Sequence, residues 1–79
     1  MTSPRLSFDT DTGNAYISLV EPGGNHVAIS VPLWPFDDQP DALAKIVLDF
    51  DADGRLVGIE VLNPADRVLR SELLDDLRG

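Results

Sequence analysis

Seventy-nine residues, 43% of them apolar and 25% charged, are enough for one small globular domain. There is no cysteine, which excludes disulfides and thiolate metal sites. Fourteen acidic residues against six basic ones leave a net charge of −8, a field that repels nucleic-acid backbones and anionic membranes and suits a basic protein partner.

Arg5 to Asp9 alternates, and Asp9-Thr-Asp-Thr-Gly13-Asn14 is a dense turn signal. Ala15 to Val20 alternates again, so the two runs read as a hairpin. An even register through Thr12-Gly13 sets Phe8 opposite Ile17 and Leu6 opposite Leu19. Glu21-Pro-Gly-Gly-Asn25 is a second turn, and Gly23-Gly24 precedes a strand, so it is no phosphate loop. His26 to Val31 is a third strand with Val27, Ile29 and Val31 facing inward. Pro32 ends that strand or marks it as an edge. Residues 32–43 read as an irregular loop whose aromatics, Trp34 and Phe36, fold back onto the sheet.

Ala44 to Asp51 and Arg55 to Leu62 flank Asp53-Gly54, the strongest turn signal in the chain. An even-length loop there pairs Phe50 with Val57, Leu48 with Ile59 and Ile46 with Val61, collecting six apolar side chains on one face. A three-residue loop splits that cluster, so the pattern favours the even one. Asn63 as N-cap and Pro64 at the first helical position open a helix over 64–78. Its stripe is Ala65, Leu69, Leu73 and Leu77, with Val68 beside it, and Ser71-Glu72 offers a second start.

One segment satisfies a calcium-loop pattern in full: Asp49, Asp51, Asp53, Gly54 and Glu60 at EF-hand spacing. Its flanks have period 2, whereas an EF-hand requires helices on both sides. In a hairpin Glu60 stands about 20 Å along the strand from the turn. Asp51 and Asp53 are therefore assigned to turn chemistry. Asp49 and Glu60 share a face and could approach each other, with Lys45 and Arg55 as counter-charges on a partly solvated surface. His26, the one histidine, lacks a second metal ligand or a nucleophile set up beside it. No catalytic, cofactor-binding or metal-binding residue is expected.

The segments Phe8-Asp9 … Asn14-Ala-Tyr-Ile-Ser-Leu19 and Ile46-Val-Leu-Asp-Phe-Asp-Ala-Asp-Gly-Arg-Leu-Val-Gly-Ile-Glu-Val-Leu62 resemble the family called domain of unknown function 2283. The resemblance implies a small bacterial protein built on a D-x-D-x-x-G hairpin, and it carries no activity and no site residues. The chain departs from the pattern in its longer, Trp-containing loop and its longer C-terminal helix.

The expectation is thus an α+β fold: one domain over residues 1–79, an antiparallel, meander-like sheet of four or five strands over 5–62 and one C-terminal helix. Leu48 and Ile59 are expected to be buried. The helix is expected to cover the face carrying Phe8, Ile17, Leu19, Leu48, Phe50, Val57 and Ile59. The reverse face, with Tyr16, Val20, Val47, Leu56 and Leu62, is then left for self-association. No apolar run approaches the roughly 18 residues of a membrane span, and Met1–Arg5 leads into no signal-peptide core, so the reading is a cytoplasmic protein. It is a non-enzymatic interaction module that forms a homodimer or binds a small basic protein. The alternative is a small-molecule or ion-binding regulatory domain.

Overall fold

The computed structural model describes residues 4–20, 27–35 and 37–78, the side chains of 75–78 excepted. Five strands form one antiparallel sheet: β1 (Arg5–Phe8), β2 (Ala15–Ser18), β3 (Ile29–Pro32), β4 (Ile46–Phe50) and β5 (Leu56–Val61). A 3-10 helix, Asp41–Lys45, leads into β4, and two short helices follow the sheet, α1 (Ala65–Val68) and α2 (Ser71–Arg78). This is the expected α+β arrangement, with one departure from a simple meander. The spatial order is β1-β2-β5-β4-β3, so β5 lies beside β2 and at the centre. Proline explains the placement. A central strand needs ladder donors on both sides, which Pro32 denies to β3 and nothing denies to β5.

The first hairpin is slipped by two residues from its expected register. Phe8 stands opposite Ala15 and Leu6 opposite Ile17. The turn is wider than Thr12-Gly13: Asp9 N–H donates to Asn14 O at 2.9 Å, and Gly13 N–H to Asp9 O at 2.8 Å. A slip of two keeps every side chain on its face, so the apolar pattern survives it.

The second hairpin reaches its expected pairs by another route. Leu48 faces Ile59 and Ile46 faces Val61, but Phe50 faces Leu56 instead of Val57. The loop has three residues, because Asp51 N–H donates to Arg55 O at 2.9 Å and Gly54 N–H to Asp51 O at 3.0 Å. Gly54 takes φ +80°, the left-handed conformation such a loop needs at its last position. Val57 is then an extra residue in β5, and this bulge restores the phase for every pair beyond it. The odd loop and the bulge cancel.

The C-terminal segment is two helices instead of one. Pro64, not Asn63, occupies the N-cap of α1, with no side-chain cap bond. Asn63 is engaged elsewhere: its N–H donates to Asn14 Oδ1 at 2.7 Å. Ala65 N–H donates to Gly13 O at 3.1 Å, tying the start of α1 to the first turn. Leu69 is already extended, so the helix stops there and the phase restarts in α2. Leu74 is therefore fully buried while Leu73, on the predicted stripe, is 49% exposed. Ala15, Val61 and Ala65 form the core, with Leu6, Phe8, Val68 and Leu69 packed against it.

Candidate functional site

Directly opposed residues share a face, so the registers define both surfaces of the sheet. The polar face holds two rows across the strands. One runs Ser7, Tyr16, Glu60, Val47 and Pro32; the other runs Arg5, Ser18, Gly58, Asp49 and Ser30. Asp49 and Glu60 are thus diagonal neighbours on one face, as the sequence implies. The site is not the solvated pair expected, however. Asp49 is 3% exposed. Ser30 Oγ donates to Asp49 Oδ1 at 2.7 Å. A hydrogen bond with the Asp49 side chain raises the Glu60 pKa, reinforced by desolvation and then by the Asp49 charge. Glu60 in consequence holds its proton more tightly than an isolated glutamate does.

Gly58 leaves a gap in the second row, and Tyr16 fills it from the neighbouring strand. Beside Glu60 lies an open pocket of about 210 Å³ lined by Ser7, Asp9, Thr12, Asn14 and Tyr16 among others. Asp49 is not among its lining residues.

The segment with calcium-loop spacing is a β-hairpin, with Asp49 in β4 and Glu60 in β5. Asp51 performs turn chemistry: its Oδ1 accepts the N–H of Asp53 at 2.9 Å and of Arg55 at 3.0 Å. Among the described residues, no group of three or more His, Cys, Asp and Glu is placed to hold a metal ion. His26, Gly23-Gly24 and Phe36 lie outside the described residues.

The apolar face is covered at one end only. Its rows are Phe8–Ala15–Val61–Ile46, then Leu6–Ile17–Ile59–Leu48–Val31, then Leu56–Phe50–Ile29. Ala65 seals the first row, and α2 packs against β1. The far end stays open. Ile29 is 57% exposed, Val31 and Leu56 38% each. This overturns several expectations. Val27, Ile29 and Val31 are exposed instead of inward. Leu48 and Ile59 are directly opposed but only half-buried. Trp34 stands out from the sheet at 77% exposure instead of covering it. The bulge brings Leu56 opposite Phe50, so it belongs to the apolar face and not the reverse one. The uncovered apolar surface lies beside the helices, on the face the helix was expected to fill. The cause is the break in the expected single helix: two helices of four and eight residues are too short to roof five strands.

Among the described residues, no helix is long and apolar enough to cross a membrane. Residues 5–63 match the family model described as Protein of unknown function (DUF2283), which spans all five strands and stops short of both C-terminal helices. No curated protein matches the chain, and no solved structure does.

Proposed function

Because this chain belongs to the DUF2283 family of proteins of unknown function, its role has to be read from its own surfaces, and we propose that it is a non-enzymatic protein-interaction module. The observation that carries this reading is the open end of the apolar face, where Ile29 and Val31 of β3 and Leu56 of β5 are exposed on either side of β4, with half-buried Phe50 between Ile29 and Leu56. Single exposed apolar side chains are ordinary, whereas a contiguous set on a flat sheet marks a contact surface. A small domain also gains most from a partner, since it buries little core alone.

Purification from the native host tests the reading. A stoichiometric companion, either a second copy or another protein, is expected with the wild type. Ile29→Asp and Val31→Asp should lose it, and Glu60→Gln should keep it. A companion lost only with Glu60→Gln would move the function to the polar face. The pocket beside Glu60 supports the second reading, a small-molecule or ion-binding regulatory domain. A thermal-shift screen against metabolites and metal ions tests it, because a ligand of the native state raises apparent stability.

A further inference from the structure

We propose that the cleft between the 3-10 helix and α1 binds a small monocarboxylate with a short apolar body, alkyl or aryl. This site adds to the interaction reading and lies apart from its surface: Ile29 pairs with Phe50, at the far end of β4 from Lys45.

Two short segments build the walls. Leu62 N–H donates to Lys45 O at 2.7 Å, which ties the end of the 3-10 helix to the end of β5. Ile46 N–H closes that helix on Leu43 O, and α1 packs against it. Between them lies an open pocket of about 260 Å³ lined by Asp41, Ala42, Lys45, Pro64, Arg67 and Val68. Spacing explains the lining. Residues three apart eclipse on a 3-10 helix, so Ala42 and Lys45 share a side. Arg67 and Val68 stand one turn beyond Pro64 and share its side. Ala42, Pro64 and Val68 are half-buried, while Asp41, Lys45 and Arg67 are exposed. The pocket thus has an apolar floor and a charged rim.

Charge and size select the occupant. Lys45 and Arg67 are two of six basic residues in a chain of net charge −8, and among the described residues neither is ion-paired. Set against Asp41 on the same rim, they leave the lining one positive charge. That charge matches a carboxylate and falls short of a phosphate dianion. Asp37, Asp38 and Asp66, close in sequence but outside the lining, add to the bias against a dianion. An ammonium and a guanidinium both take a carboxylate through charge-assisted hydrogen bonds. The volume is just below the roughly 300–1,000 Å³ of drug-sized sites. It holds about nine water-sized groups at ~30 Å³ each, so the body is short. The apolar floor selects alkyl or aryl carbon over a sugar. Pro64, Arg67 and Val68 lie beyond residues 5–63, which match the family model, so half of this lining belongs to the chain's own C-terminal segment.

The test is a titration of the isotope-labelled chain followed through its backbone amide chemical shifts. The probe is isocaproate, and the comparison probes are isocaproamide, acetate and inorganic phosphate. Saturable shifts are expected at Asp41–Lys45 and Ala65–Val68, and each comparison probe should bind at least about tenfold more weakly. Lys45→Gln and Arg67→Gln, both at exposed positions, should each weaken isocaproate binding severalfold, and together they should abolish saturation. Asp41→Asn should strengthen it severalfold and let phosphate bind. Arg55→Gln, at the hairpin tip, should leave it unchanged. Ile29→Asp should also leave it unchanged, so failure of the pocket and failure of the interaction face are read separately. Equal binding of acid and amide, an equal loss with Arg55→Gln, or shifts centred elsewhere in the chain overturns the proposal. No saturation by about 20 mM, roughly the weakest affinity of a well-seated ligand this small, overturns it too.

Discussion

Tyr16 lies across Gly58, one strand over and two positions along, so that any side chain added at 58 would meet its ring and hydroxyl. A glycine here is a packing requirement and not a turn device. Gly58→Ala should cost about 1–3 kcal/mol by overpacking, and Gly58→Val more. Tyr16→Ala should return part of that loss when combined with Gly58→Ala. Denaturant melts of the four proteins in the cycle check the coupling; simple additivity would contradict the contact.

The Asp49–Glu60 pair predicts a pH dependence with a definite sign. Glu60 is raised in the folded state by its hydrogen bond with Asp49, by burial and by the Asp49 charge. A raised carboxyl binds its proton more tightly when folded, so its contribution is fully present below the ordinary glutamate pKa of about 4.3 and is lost as pH rises through the raised value. Glu60→Gln keeps a donor for Asp49 and does not titrate. The two proteins should therefore melt alike at low pH, and the variant should gain on the wild type as pH approaches neutrality. Circular-dichroism melts across that range decide it, and a gap independent of pH would contradict the tighter proton binding of Glu60.

At the hairpin tip, Asp51 rather than Asp53 holds the loop, accepting two backbone N–H groups. Asp51→Ala should cost about 1–2 kcal/mol, since a carboxylate acceptor is lost, while Asp53→Ala should fall within about 0.5 kcal/mol. Calorimetric titration with calcium should show nothing tighter than millimolar. Micromolar binding abolished by Glu60→Gln would mean that the segment closes around an ion after all.

Burial puts Leu74, and not Leu48, among the residues most costly to truncate. Leu74 is fully buried, whereas Leu48 is only half-buried. Leu74→Ala should cost about 2–5 kcal/mol, a large share of a small domain's total, and Leu48→Ala distinctly less. Equal shifts in denaturant midpoint would contradict the packing of α2.

Local pattern made much of this fold legible. Period-2 alternation marks all five strands, and the apolar residues of β4 and β5 fix Leu48 opposite Ile59. Pro32 marks β3 as an edge strand. Pattern fails where two local solutions share one parity. A two-residue loop, or a three-residue loop with a bulge, gives the same far pairs, and only the Asp51 hydrogen bonds choose between them. The same holds at Phe8, where a slip of two leaves the faces unchanged. Period 3.6 misplaces the stripe of the C-terminal segment because Leu69 leaves the helix and restarts the count, which buries Leu74 instead of Leu73. The buried Asp49 was the least legible feature. It accepts a hydrogen bond from Ser30 of β3 and stands opposite Gly58 of β5, which in turn lies under Tyr16 of β2, strands far apart in the chain.

The bulge at Val57 frees the tip of the second hairpin from its body. The phase of every pair from Asp49–Gly58 to Ile46–Val61 is set at that extra residue and not by the loop. Loss of Ala52 would leave Asp53-Gly54 as a two-residue connection, the pair of residues that such turns favour, with Asp51 still opposite Arg55. Insertions and deletions at this tip are therefore invisible to Asp49, Glu60 and the open apolar rows. Length there is free to drift in evolution, or to be engineered as a grafting point, while the strands hold their register.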